Sequence, residues 1–330
     1  MIETFKKLLD NSNRVLVTSH KSPDGDAVGS SVACYEFLKS IGKIPFVLLP
    51  DPPASNLMPY LEDVDYSFYE NHNLDFSQFD LVFCLDYNHE YRVGEEMSDV
   101  FNQLACKKIM IDHHPDPSAF CDLTISRPEV CSTAQLFFEV LEELEMSNEL
   151  NLKASKAIYL GIMTDTGSFR YPSVNAKTHD VLAKVISNGV VPFEIHESIF
   201  DQNTSEKLKL RGYAVSDKME LIKDSPVGLI SLSIEELNRF NYKKGDTEGL
   251  VNVILSIKGM SIAIFMVEND EGKVKMSFRS KGKYFVNEFA KKHFNGGGHK
   301  YAAGGFSHSN LLETKNKVLE YYKNHLIFQK

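Results

Sequence analysis

The chain has little cysteine. Cys34, Cys84, Cys106, Cys121 and Cys131 are five in 330 residues, an odd number with no two at CxxC spacing. That argues against a disulfide framework and a zinc ribbon and leaves thiols acting as small buried hydrophobes. Long apolar runs are missing too. No stretch approaches about 18 consecutive apolar residues, so no membrane-spanning helix is expected. The amino terminus, MIETFKKLLDNSNRVLVTSH, has no extended apolar region and no small-residue cleavage site. No signal peptide is read from it, and a cytoplasmic location is expected. Internal repeats and low-complexity tracts are also missing.

What is present suits a soluble enzyme. Hydrophobic residues make up 43% and charged residues 25%, enough to build a real core. At about 150 residues per domain the length suggests two domains. Charge is unevenly divided between them. Residues 1–215 carry 18 Lys and Arg against 32 Asp and Glu, net −14, and residues 216–330 carry 18 against 13, net +5. Acidic residues can hold divalent cations, and a basic surface can hold a polyanion.

The first half alternates strand-like and helix-like segments. Residues 14–19, 44–49, 81–85 and 108–111 read as buried strands, and 26–38, 132–144 and 154–163 as helices. This alternation predicts an α/β domain with a mainly parallel sheet flanked by helices. Residues 187–215 break the rhythm and are read as a linker. Beyond it, strands at 228–234, 261–267 and 273–278 and helices at 248–256, 285–294 and 311–325 predict a smaller α+β domain. The expected organisation is therefore 1–186, a linker 187–215, and 216–330, with the active site in the cleft between the domains.

Chemistry concentrates at the ends of the first-domain elements. His20-Lys-Ser-Pro-Asp24-Gly-Asp26 follows the first strand directly. In open α/β sheets ligands bind beyond the carboxyl ends of the strands. Asp26 stands where a helix N-cap is expected. Capping accounts for one carboxylate but not for His20 and Asp24. Asp86 ends the run LVFCL, Asp112-His113-His114 ends KKIMI, and Asp165 follows AIYLGIMT. Four separate segments thus each deliver Asp or His to an element end. Carboxylates with imidazoles and no thiolate suit Mn²⁺, Mg²⁺, Fe²⁺ or Co²⁺ rather than structural zinc. The donors outnumber the ligands of one tetrahedral ion. Two ions roughly 3.5–4 Å apart would account for them and suit phosphoester hydrolysis.

The chain resembles the DHH phosphoesterase family, named for its Asp-His-His motif. The match rests on His20-x3-Asp24-x-Asp26, Asp86, Asp112-His113-His114 and Asp165 in order. The C-terminal half resembles the first type of DHH-associated domain through Arg279-Ser280 and Asn295-Gly296-Gly297-Gly298-His299-x3-Ala303-Gly304-Gly305. Within the family, the length and two-domain plan are similar to the nanoRNases. These degrade short oligoribonucleotides and remove the 3′-phosphate of adenosine 3′,5′-bisphosphate (pAp).

The resemblance implies two divalent cations, Mn²⁺ foremost, with Mg²⁺ or Co²⁺ as alternatives. His20 and Asp24 would hold the first and Asp26 and His113 the second. Asp86 would bridge both, and Asp165 would complete the second. His114 would face the substrate phosphate and Asp112 would orient the histidines. Arg279, Ser280, Gly296, Gly297, Gly298 and His299 would bind substrate, aided by the charge of Lys281, Lys283, Lys291, Lys292 and Lys300. Short RNA and nucleotides are the implied partners; a homodimer is a separate expectation that the resemblance does not supply.

Two other readings stay open: a phosphodiesterase of cyclic or linear dinucleotides such as cyclic di-AMP or pGpG, and a non-catalytic nucleotide-binding regulator. The Gly-Gly-Gly-His signature argues against a manganese pyrophosphatase. The associated domain is also similar to the C-terminal domain of alanyl-tRNA synthetases, which leaves tRNA contact as a further idea. Arg92, six residues after Asp86, is read either as a substrate contact or as a partner of an acid. Arg170 and Tyr171 are read as possible lining of the cleft. His72, His89, His179, His196, His293, His308 and His325 lack partners at ligand spacing and read as surface or core residues. Phe68, Phe76, Phe79 and Phe83 read as core.

Overall fold

The computed structural model describes residues 1–243, 245–269 and 271–324, without the side chains of 322–324. His325, expected at the end of the last helix, lies outside the described residues. Two compact units divide the chain, Met1–Gln202 and Asn203–Lys330.

The first unit is a six-stranded sheet. Its strands are β1 (Arg14–Thr18), β2 (Ile44–Leu49), β3 (Tyr66–Phe68), β4 (Leu81–Leu85), β5 (Lys107–Asp112) and β6 (Leu123–Ser126), in spatial order β3-β2-β1-β4-β5-β6. Every pairing in it is parallel. Side chains alternate along the strands, so the four central ones feed two cores. Val15, Val17, Phe83 and Ile109 enter one core, and Leu16, Val82, Cys84 and Met110 the other. Burial on both faces explains why these strands read as continuous apolar runs.

The thicker core is covered by α1 (Ile2–Asp10), α2 (Gly25–Ser40), α4 (Thr133–Glu143), α5 (Leu152–Asp165), α6 (Ala176–Ser187) and α7 (Pro192–Phe200). The thinner one is covered by α3 (Glu95–Gln103), Phe79, Tyr87 and, half-buried, Phe76 and Phe120. Phe83 is fully buried and Phe68 packs at the edge of the thicker core. All five cysteines are free thiols, and Cys34, Cys84 and Cys131 are buried. Among the described residues no helix is long and apolar enough to cross a membrane.

The strand order reverses direction at β1. From β1 the chain moves to β2 on one side and later returns to β4 on the other. The diverging connections leave a crevice beyond the carboxyl ends of β1 and β4, the usual ligand site of such sheets.

The second unit begins with α8 (Ser205–Ser216). Its six-stranded sheet has the order β11-β12-β10-β9-β8-β7. The strands are β7 (Met219–Leu221), β8 (Val227–Leu232), β9 (Ile262–Glu268), β10 (Val274–Ser280), β11 (Gly297–His299) and β12 (Ala302–Ser307). Strands β8 and β9 pair in parallel and the others antiparallel. The remaining helices are α9 (Ile234–Asn238), α10 (Leu250–Leu255), α11 (Asn287–His293) and α12 (Leu311–Asn324).

The segment read as a linker, 187–215, is largely helical. It holds α7 and most of α8, and the division between the units falls between those two helices. It closes a run of helices, α4 to α8, that no strand interrupts between β6 and β7.

Candidate metal centre

Asp24, not Asp26, caps α2. The Asp24 side chain accepts from the backbone N–H groups of Asp26 and Ala27, each at 3.0 Å. Asp26 is displaced into the first turn, where it is 1% exposed. Its two oxygens accept from the N–H groups of Thr133, at 2.6 Å, and Ala134, at 2.9 Å. These lie at the start of α4, where backbone donors lack intrahelical partners and the dipole favours an anion. Asp26 therefore occupies the N-terminus of a helix 107 positions later in the chain. The corrected reading follows from Gly25 being already the first residue of α2, which leaves the cap to Asp24.

Asp86 follows β4 with φ of 65°, a left-handed backbone that Asp tolerates better than most residues. It is 2% exposed, and its oxygens face different partners. Oδ2 lies 3.3 Å from Nε2 of His20, and Oδ1 lies 3.6 Å from Nε2 of His113. The Thr133 hydroxyl donates to Oδ1 at 2.8 Å. Nε2 of His113 also lies 3.6 Å from Asp165 and 3.9 Å from Asp26, and Nε2 of His20 lies 3.9 Å from Asp24.

Backbone carbonyls set both tautomers. Nδ1 of His20 donates to the Lys21 carbonyl at 2.9 Å, and Nδ1 of His113 to the Val130 carbonyl at 3.2 Å. In the neutral rings each Nε2 then presents a lone pair to carboxylate oxygens, which are acceptors as well. Acceptors converge on acceptors unless a cation, a proton or a metal ion, lies between them. His20 responds accordingly. Burial pulls its pKa down, but the hydrogen bond to Asp86 and the charges of Asp24 and Asp86 outweigh it and raise it to about 9. His113 is likewise raised: burial opposes charging, and Asp86, Asp26 and Asp112 overcome it. Asp26 is raised well above the ordinary carboxylate range by burial and by the charges of Asp86 and Asp165. Burial pushes Asp86 the same way, yet the three histidines hold it below that range.

The donors fall into overlapping groups. His20, Asp24 and Asp86 offer atoms within 4.8 Å of one another, as do Asp26, His113 and Asp165, and also Asp86, Asp112 and His114. Hard oxygens with imidazole nitrogens and no thiolate fit divalent manganese, magnesium, iron or cobalt.

Asp112, fully buried, is engaged by His114. Oδ1 accepts from Nδ1 of His114 at 2.7 Å and Oδ2 from its backbone N–H at 3.1 Å. Asp112 thus orients His114, whereas the Val130 carbonyl orients His113.

Thr133 stands outside the motifs of the sequence. The only signal is its position, with Ser132, at the start of the amphipathic run TAQLFFEV. Ser132 caps α4 by accepting from the N–H of Gln135, which frees Thr133 to point at Asp86. Gly161 also stands outside those motifs. A Cβ there would lie 2.5 Å from Cβ of Ala134 and 2.6 Å from Oδ1 of Asp26. Arg170 is exposed, and its Nε donates to the Gly167 carbonyl at 2.7 Å.

In the second unit Gly297 and Gly298 of the glycine cluster lie in a short strand. β11 pairs with β12 through Gly297 with Gly304, Gly298 with Ala303, and His299 with Ala302. On β10, Arg279 also pairs with Ala302. Arg279 and His299 therefore share one row and one face of the sheet, two strands apart. The alternate β10 residues Val274, Met276 and Phe278 point into the core. Backbone packing alone accounts for two of the glycines. A Cβ on Gly296 would lie 1.9 Å from the Gly304 carbonyl oxygen, and one on Gly298 would lie 2.5 Å from that of Ala302. Gly297 has open space there. The Ser280 hydroxyl donates to the Tyr284 carbonyl at 2.8 Å and so holds the turn after β10.

Comparison with known proteins follows this division. Residues 14–162 match the N-terminal domain of the DHH family, and residues 228–324 match the DHHA1 domain. The chain is 29% identical over 301 residues to the bifunctional oligoribonuclease and PAP phosphatase NrnA of Bacillus subtilis, covering 89% of this chain and 90% of the relative. It is 28% identical to the probable protein of the same name from Streptococcus mutans, covering 94% of each. Among solved structures, an exopolyphosphatase-related protein from Bacteroides fragilis superposes with a TM-score of 0.91 at 37% identity, covering 98% of this chain and 96% of the other.

Proposed function

Because this chain belongs to the DHH family, carrying both a DHH domain and a DHHA1 domain, we propose that it is a divalent-metal-dependent hydrolase of phosphoesters. In this reading it degrades short oligoribonucleotides to mononucleotides and removes the 3′-phosphate of pAp. The observation that carries the proposal is the convergence of His20, Asp24, Asp26, Asp86, His113 and Asp165, with Asp86 directing one oxygen to each histidine. Relatives named for both activities span nearly the whole chain, which supports this choice of substrates.

In this reading His20 and Asp24 hold one ion, Asp26, His113 and Asp165 the other, and Asp86 lies between them. Manganese suits the donors, and magnesium or cobalt would serve. Two bound cations would supply Lewis acidity toward water and toward a phosphoryl oxygen. Asp112 holds the His114 ring, so that Nε2 is the atom directed at the substrate phosphate. Thr133 and the α4 N-terminus keep Asp86 and Asp26 from turning away. In the second unit, Arg279 and His299 on their shared face, together with Gly297, bind the nucleotide. Ser280, Gly296 and Gly298 shape the backbone that presents them. A module gripping one end of a chain favours short oligomers over long RNA.

Product release from one panel tests the proposal: pAp, pGpG, cyclic di-AMP, pyrophosphate, polyphosphate, and RNA of two, five and twenty-four nucleotides, each with Mn²⁺. Hydrolysis of pAp and the shortest RNAs, abolished by a chelator, is expected. Preference for cyclic di-AMP, or equal rates on twenty-four-mers and dimers, would overturn the substrate assignment. No turnover at all would leave a nucleotide-binding role.

A further inference from the structure

The loop after β4 carries an aromatic pair that the metal centre does not use. The rings of His89 and Tyr91 are stacked, with centroids 5.0 Å apart and planes 19° from parallel. Tyr91 is nevertheless 63% exposed, an uncommon position for so large a ring in a compact unit. We propose that His89 and Tyr91 form a stacking platform for one nucleobase of the substrate, an assignment that rests on the nucleotide reading above.

The platform is tied to the candidate ligands on both sides. The Lys21 N–H, next to His20, donates to the Arg92 carbonyl at 2.7 Å. The Asn88 side chain donates to the carbonyl of Pro115, next to His114, at 2.6 Å. Ser118 donates its N–H to the Asn88 carbonyl and its hydroxyl to the Glu90 carboxylate, each at 2.8 Å. The loop is therefore held in place before any ligand arrives. Preorganisation of this kind reduces the entropy lost on binding. The stacked pair presents a π face beside phosphate-binding chemistry, and every nucleobase has a matching face. His89 serves this role through its ring plane, which agrees with its lack of a partner at ligand spacing.

The test uses the full chain with Mn²⁺ and three substrates: the dinucleotide pApA, and two analogues in which the first or the second sugar lacks its base. The native protein should favour pApA over one of the two analogues by about 5- to 150-fold in kcat/KM, the range expected of one aromatic–base stack. In Tyr91→Ala that ratio should fall toward one, and Tyr91→Phe, which keeps the ring, should restore it. A ratio unchanged in Tyr91→Ala overturns the proposal, and so does a Phe variant as impaired as the Ala variant. Failure of the native protein to hydrolyse any nucleotide would instead sink the hydrolase reading. The platform is then judged by equilibrium binding of AMP against ribose 5-phosphate. Native preference for AMP that is lost in Tyr91→Ala supports it, and no preference in the native protein overturns it.

Discussion

The hydroxyl of Thr133 donates to Oδ1 of Asp86 at 2.8 Å, while the N–H of the same residue donates to Oδ2 of Asp26 at 2.6 Å. One residue at the start of a helix therefore positions two buried carboxylates from two other segments. Thr133→Val removes the first contact and keeps the second. Manganese affinity measured by calorimetry should weaken about 10- to 100-fold, the usual effect of losing a group that orients a ligand. Thr133→Ser should recover most of it. Unchanged affinity in the Val variant would show that Asp86 needs no such support.

Asp86→Asn tests the bridging assignment. The side chain keeps its size but loses the charge between His20 and His113. The number of Mn²⁺ ions bound should fall from two to one or none. Hydrolysis should drop by at least about 100-fold, more than the loss of an orienting partner alone. Two ions still bound with normal turnover would remove Asp86 from the centre.

Gly161→Ala places a methyl group against Asp26 and Ala134, and both neighbours belong to packed backbone segments. Overpacking of this kind costs about 1–3 kcal/mol. Urea unfolding should show that loss, accompanied by weaker metal binding because the Asp26 carboxylate must move. Gly212, within α8, has open space where its Cβ would stand. Gly212→Ala should stabilise by about 0.5–1 kcal/mol, since alanine loses less conformational freedom in a helix. A Gly161→Ala protein as stable as the native one would remove the steric argument.

A pH-dependent contribution comes from outside the centre. Oδ2 of Asp80, just before β4, accepts from the N–H groups of Asn13 and Arg14 at 2.9 and 2.8 Å, joining the starts of two adjacent strands. Those bonds to the backbone of Arg14 and Asn13 lower its pKa. A carboxyl whose folded pKa is depressed stabilises the protein above its unfolded pKa, about 3.9, and ceases to do so as pH falls through the lower folded value. Asp80 is exposed, so water screens the contribution, which should stay near about 1 kcal/mol. Melting curves of native and Asp80→Asn proteins should differ at pH 7 and converge in strong acid. A difference that persists at the lowest pH would rule out the charge as its source.

Much of the first unit could be read from local pattern. The strands over 44–49 and 81–85 begin and end where expected, because a strand buried on both faces is continuously apolar and its ends are marked by polar residues. His20, Asp24, Asp86, Asp112, His113 and Asp165 stood out for the same reason: each follows an apolar run whose direction the alternation had already indicated. The short outer strands β3 and β6 are not legible in the sequence. With three and four residues and incomplete burial, they carry too little periodicity to separate from loop.

Tertiary structure alone decided which polar groups answer to which. The sequence by itself determined that acids and histidines gather at the carboxyl ends of parallel strands, since strand, turn and helix start follow from neighbouring residues. It could not assign the helix cap to Asp24 and send Asp26 to the start of α4, nor select Thr133, nor place Gly297 and Gly298 in a strand facing β12. Those outcomes depend on contacts between segments far apart in the chain. Asp26 meets Thr133 across 107 positions, and only the folded sheet, bringing α2 beside α4 and α5, sets the distance between them. Hydrophobic periodicity records which face of an element is buried. It does not record which backbone donor will be waiting there.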